Sequence, residues 1–148
     1  MNWQLAQFNV LRAKYDHDDP RMAEFFAALS MINELGDAAP GAVWRCRDEE
    51  PSGSHPGFTE PRVLRNLTVW RDIESVWNFA YTTSHADFLR RRSEWFEIDV
   101  RPTTALWWIP ASHRPTLDDA IARLEHLRAH GSTPHAFSFR DAHEPPRD

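Results

Sequence analysis

Apolar and polar positions alternate from Trp3 to Leu11. Trp3, Leu5, Gln7, Asn9 and Leu11 fall on one side, Gln4, Ala6, Phe8 and Val10 on the other. A period of two predicts a strand, and apolar residues on both sides predict one that is largely buried. Gln7 and Asn9 are polar on an otherwise apolar face, which would aim them into a pocket. The period then lengthens. Asp19-Pro20 predicts a helix start, with a carboxylate cap and proline at the first helical position. Met22, Phe25, Phe26, Leu29 and Ile32 follow at helical spacing, and Gly36 is expected to end the helix as a left-handed cap. Pro40-Gly41 predicts a turn and Ala42–Arg47 a short strand. Asp48–Pro61, rich in Pro, Gly, Ser and acids, reads as a mobile loop.

Val63–Trp70 predicts a third strand, with Asn66, Thr68 and Trp70 on one face. Asp72 should cap a second helix from Ile73 to about Tyr81. Thr82-Thr83-Ser84 are weak helix formers, so a kink is expected there before a second piece through Arg92. Thr104–Pro110 (TALWWIP) lacks clean alternation, the mark of a strand buried on both faces or walling a pocket. Thr116–Asp119 predicts the cap of a last helix, with Leu117, Ala120, Ile121, Leu124 and Leu127 at helical spacing and a stop at Gly131. His135–Phe139 reads as a final short strand.

The order is βαββαβ followed by αβ. The expected fold class is α+β: a ferredoxin-like unit with an antiparallel sheet, both helices on one face, and an added C-terminal helix and strand. The other sheet face also carries apolar residues and needs cover. Two sheets closing face to face in a homodimer, a dimeric α/β barrel, would provide it. One domain is expected over 1–140, with a flexible tail over 141–148.

Composition narrows the function classes. A chain of 148 residues is one domain by length. Its formal net charge of −5 gives no global field for nucleic acid or anionic lipid. No apolar run approaches the ~18 residues of a membrane span, and the start lacks the pattern of a secretory leader, so a cytoplasmic protein is expected. Cys46 is the only cysteine, which excludes an internal disulfide, and no neighbour marks it as a nucleophile. Seven tryptophans against two tyrosines are unusual and suit an apolar or aromatic ligand as well as a core.

The candidate chemistry centres on Trp77–Phe96, where His85 lies among aromatic residues and before Arg90-Arg91-Arg92. A neutral imidazole can ligate a metal, including haem iron as a single axial ligand, or move a proton, or simply pack. An arginine can hold a carboxylate, a phosphate or a haem propionate. Consecutive helix positions diverge, so the three cannot serve one site. Of Trp107 and Trp108, adjacent on a strand, at most one can line a given cavity with Trp70. Asn66 and Thr68, with Gln7 and Asn9, could orient a substrate. His113 could act at a pocket mouth. His126 and His130 have metal-pair spacing but no HExxH context, and read as surface residues.

Several segments together carry a resemblance: Leu5–Asn9, Pro40–Arg45, Asn66–Trp70, Phe79–Tyr81 with His85, Arg91–Phe96, Leu106–Pro110 and Arg123–Leu127 before Gly131. The chain resembles the bacterial domain-of-unknown-function family numbered 3291, which is similar to the dimeric α/β-barrel superfamily of small antibiotic-biosynthesis and haem-degrading monooxygenases. The resemblance implies a homodimer and a small monooxygenase-like oxidoreductase. It implies His85 as axial ligand, since haem-degrading relatives take theirs from the second helix, and Asn66 and Trp70 only as loosely similar to residues of cofactor-free relatives. Three readings stay open. One is a haem enzyme held by His85, Arg91 or Arg92, Trp70 and Trp107. The second is a cofactor-free oxygenase, cyclase or isomerase with His85 or His113 as general base, and Asn66 beside it. The third is a ligand-binding dimer without catalysis.

Overall fold

The computed structural model describes residues 2–46, 62–83 and 85–147; the loop expected over Asp48–Pro61 lies outside them. The elements are β1 (Trp3–Arg12), α1 (Ala23–Ala38), β2 (Ala42–Arg45), β3 (Val63–Trp70), α2 (Ile73–Thr82), α3 (His85–Arg90), β4 (Thr104–Pro110) and α4 (Leu117–His130). The four strands form one antiparallel sheet in the order β2-β3-β1-β4. The fold is α+β and ferredoxin-like, as the pattern of the sequence predicts. Among the described residues no helix is long and apolar enough to cross a membrane.

Local chemistry sets most of the boundaries. Asp19 accepts from the Arg21 N–H at 2.8 Å and opens a short 3-10 turn, Pro20–Met22, that leads into α1. Asp72 accepts from the Ser75 N–H at 2.8 Å and caps α2. Thr116 accepts from the Asp119 N–H at 3.1 Å and caps α4. Gly131, at φ 76°, closes α4 as expected, its N–H donating to the Leu127 carbonyl. The kink at Thr82-Thr83 is a full break. Thr82 and Thr83 donate back to the Asn78 and Phe79 carbonyls at 2.5 and 2.6 Å. Such back-bonds compete with the helix ladder, and Thr83 is extended.

Two expectations change. Gly36 does not end α1, which continues to Ala38; the left-handed glycine is Gly41, at φ 86°. What Gly36 provides is room, since a Cβ there would lie 3.3 Å from the Phe79 ring. The expected last strand, His135–Phe139, is reduced to two isolated bridges, Leu106 to Phe137 and Thr133 to Ala136.

Register divides the sheet into two faces. Leu5, Gln7, Asn9 and Leu11 lie opposite Trp70, Thr68, Asn66 and Leu64. This face packs under α1, α2 and α3 through Leu5, Trp70, Val76 and Leu106 at one end, and through Met22, Phe25, Trp95 and Phe96 at the other. The second face carries Ala6, Phe8, Val69 and Trp107, and α4 lies on it with Leu117, Ala120, Leu124 and Leu127. α4 of the same chain thus covers part of the face that a partner sheet was expected to cover.

Candidate functional site

On the face beneath α1–α3 the apolar ends enclose a polar centre. Gln7, Asn9, Asn66 and Thr68 are half-buried there, although Leu5, Trp70 and Leu106 beside them are buried. Alternation puts all four on one side of β1 and β3, and pairing sets Asn9 directly across from Asn66. Their hydrogen bonds run in one direction. An indole N–H can only donate, and Trp70 Nε1 gives its proton to Thr68 Oγ1 at 2.8 Å. The Thr68 hydroxyl then gives its own to Gln7 Oε1, also at 2.8 Å. That fixes the Gln7 amide, whose Nε2 donates to Asn9 Oδ1 at 3.2 Å. The chain ends on the Asn9 NH₂, made a better donor by polarisation along the series. Neither that NH₂ nor the Asn66 side chain has a hydrogen-bond partner among the described residues. Two amides thus face partly solvated space with donors to spare.

His85 opens α3 at the aromatic end of this face. Its ring lies 5.1 Å from that of Phe79, which stacks at 5.5 Å on Trp70. Nδ1 meets the Ala80 carbonyl at 3.2 Å. That carbonyl belongs to the last turn of α2 and is one of the acceptors a helix end leaves over. The contact places the proton on Nδ1, so Nε2 carries the lone pair. Burial lowers the pKa, partly countered by the hydrogen bond to Ala80, so the ring is a free base at neutral pH.

The family model of a domain of unknown function, DUF3291, matches residues 4–148. The chain belongs to the DUF3291 family. Among curated proteins none matches its sequence. Several solved structures are similar to it, among them the following three. The NE2512 protein of unknown function from Nitrosomonas europaea is 15% identical, with a TM-score of 0.51 and 77% of this chain and 96% of that one covered. A putative antibiotic biosynthesis monooxygenase from Chloroflexus aurantiacus is 16% identical, with a TM-score of 0.45 and 76% and 97% covered. A dabb family protein with a ferredoxin-like fold from Mesorhizobium loti is 14% identical, with a TM-score of 0.41 and 76% and 98% covered. At 15% identity the likeness to the first is one of fold alone.

The DUF3291 chain brings together only part of the expected site. Asn66, Trp70 and His85 share one face. Trp107 does not: it pairs with Ala6 on the α4 side, its indole N–H buried without a hydrogen-bond partner among the described residues. Trp108 is the tryptophan that joins the Trp70 cluster, and its Nε1 donates to the His143 carbonyl at 2.7 Å. Arg91 is engaged by Glu24 at 2.6 and 2.8 Å and by Glu94 at 2.7 and 3.1 Å, and both carboxylates raise its pKa, Glu24 the more. Arg92 is exposed on the following turn. His113 is exposed in its loop. His126 lies against both His130 and His135, but among the described residues no three such ligands are placed to hold a metal ion. Phe79, the ring that links His85 to Trp70, enters the sequence analysis only as part of the segment Phe79–Tyr81, with no site role of its own.

The residues expected to hold haem are not brought together. The Phe79 ring lies against that of His85 at 5.1 Å, tilted by 42°. The cavity beyond Phe79, of about 280 Å³, is lined by Phe79, Thr82 and Thr83 but not by His85. It falls below even the ~300 Å³ typical of the smallest ligand pockets. Arg91 is held by carboxylates, and Trp107 lies across the sheet.

The buried base has a measurable consequence. Its native pKa lies below the unfolded imidazole value of ~6.5, so the native state binds fewer protons than the unfolded state as pH falls. The stability this contributes is present above ~6.5 and is lost on acidification toward the lower native pKa. His85→Gln should flatten the loss of stability seen by urea unfolding as pH falls below ~6.5. An unchanged pH slope would show that His85 is not the titrating group.

Proposed function

We propose that this protein is a small-molecule enzyme, monooxygenase-like and working through its own side chains, that acts on an elongated apolar or aromatic compound bearing a carbonyl or an ionisable hydroxyl. The one-way hydrogen-bond chain from Trp70 to Asn9 carries this reading. It ends in amide donors aimed at partly solvated space, the arrangement that stabilises a developing oxyanion. Asn66, directly across, supplies a second amide. His85 Nε2 is the base that would remove a proton from the substrate. The resulting enolate or phenolate is electron-rich enough to meet dioxygen directly; oxidation of a CH₂ to C=O then consumes one O₂ and releases one water.

The spacing sets the size of the substrate. Trp70 and Asn66 are four residues apart on β3, about 13 Å along a strand. A molecule touching both the Trp70–Phe79–His85 end and the amides must be long, such as a fused-ring compound. The same spacing favours a second reading, a binding module in which His85 only packs, because no hydrogen bond joins His85 to the amide chain.

Oxygen uptake with anthrone and naphthol probes, alongside their binding followed by tryptophan fluorescence, separates these readings. The enzyme reading expects turnover that falls about 10²-fold in Asn66→Ala and loses its pH dependence in His85→Gln. Binding without oxygen uptake or product would leave the module. Absence of binding by any fused-ring probe would remove both.

A further inference from the structure

We propose that residues 132–143 form a strap across the outer edge of β4, clasped to α4 at neutral pH and released by acid through His135. α4 ends at Gly131 on one side of the sheet. The chain then turns, Thr133 and Ala136 exchanging backbone bonds at 2.9 and 3.1 Å, and meets β4 at Leu106. Leu106 and Phe137 donate to each other's carbonyls at 2.9 Å. At such an edge successive side chains point to opposite faces. Ala136 packs in the α4 cluster, and Phe137 in the cluster of Leu5, Trp70 and Leu106 on the other side. Phe137 is fully buried, and Trp70 in the same cluster is 3% exposed. Phe139 follows, 5.5 Å from Trp77, and the His143 carbonyl accepts from Trp108 Nε1. The strap thus closes the aromatic end of the face whose amide centre stays partly open. Among the described residues a single bridge joins it to β4, whereas β1 and β3 pair over eight residues. Local opening costs least where such pairing is sparse.

The clasp lies at the root of the strap. Arg123 Nη1 donates to the His135 carbonyl at 2.8 Å and lies 3.2 Å from His135 Nδ1. A guanidinium only donates, so Nδ1 is the acceptor and the neutral ring carries its proton on Nε2. The His126 ring lies 4.6 Å from those of His130 and His135, and its Nε2 meets Thr133 Oγ1 at 3.1 Å. Asp119 is the acid that faces this group, and at 3.4 Å from Arg123 Nε it offsets the arginine. Glu125 acts on Arg128 instead. β4 has no charged residue, and the strap has only His135 between Gly131 and Phe139. A proton on His135 is therefore uncompensated. It turns Nδ1 into a donor facing a donor and sets a second positive charge beside Arg123, to which His126 and His130 can add. Burial, then Arg123 and His126, already lower the His135 pKa against the pull of Asp119. The neutral clasp is at full strength above the ordinary imidazole value of ~6.5 and fails as pH falls toward the lower native one.

Hydrogen exchange on the full chain, corrected for the intrinsic rate at each pH, tests this. The probes are the Leu106 and Phe137 amides and the Trp108 indole N–H. Between about pH 7.5 and about pH 5, either side of ~6.5, their protection should fall about tenfold more than that of the β1–β3 ladder. His135→Gln leaves the backbone carbonyl to Arg123 and cannot take up a charge, so it should abolish that difference. His85→Gln, on the α2 side, should preserve it, which separates release of the strap from the acid response of the whole fold. Equal losses in strap and ladder, no loss at all, or a difference that persists in His135→Gln would overturn the proposal. No substrate enters the measurement, so this test and that of the amide centre fail independently.

Discussion

Gly41→Ala is expected to cost about 3 kcal/mol or more, because two separate penalties meet at one residue. Gly41 has φ 86°, where a side chain crowds its own backbone. A Cβ there would also lie 2.1 Å from Ser75 Oγ and 2.4 Å from Ser75 Cβ, closer than any real contact. Ser75 has little freedom to yield. Its N–H and hydroxyl both bond to Asp72, at 2.8 and 2.6 Å, and form the cap of α2. The Arg71 N–H donates to the Gly41 carbonyl at 2.7 Å and ties the same turn to the end of β3. Moving Ser75 would therefore open the cap, itself worth ~1 kcal/mol. Gly131→Ala is the control. It has a similar φ of 76° with nothing within 4 Å of the added carbon, so it should show the backbone penalty alone, ~1–2 kcal/mol. Urea midpoints for the two variants give the comparison. Equal losses would mean that Ser75 moves freely and that the turn is not clamped to α2.

Ending the chain at Pro115 should make it associate further than the whole chain does. α4 buries Ala6, Phe8, Val69 and Trp107, each without exposed surface in the whole chain. Without it, that face presents a contiguous apolar patch of the kind that folded monomers seldom expose. The shortened chain is expected to sediment as a dimer or larger species, or to aggregate. Leu124→Ala, which keeps α4 in place, should cost about 2–5 kcal/mol without assembly. A folded, monomeric shortened chain would show that α4 is not the cover of this face.

The parts of this fold legible in the sequence are those decided by neighbours along the chain. The alternation of β1 and β3 placed Gln7, Asn9, Asn66 and Thr68 correctly on one face. The caps at Asp72 and Thr116 and the break at Thr82-Thr83 were readable because a side chain meets backbone within four residues. What depends on distant partners was not. Arg91 looked available for a ligand, but Glu24 of α1 holds it. Gly36 looked like a helix stop, but its lack of a side chain admits Phe79 from α2. The choice between Trp107 and Trp108 needed the register of β4 against β1. The apolar stripe of α4 was legible, but not the sheet face on which it would lie.

The break between α2 and α3 does more than turn the chain. A helix running straight through would spend the Ala80 carbonyl on its own ladder. Because α2 stops at Thr82, that oxygen is left over, and His85 takes it up. Two threonine hydroxyls, by folding back on the carbonyls of Asn78 and Phe79, thereby decide which nitrogen of an imidazole bears a proton. Backbone geometry here acts as a chemical setting: in an unbroken helix the same histidine would need another acceptor to hold the proton on Nδ1.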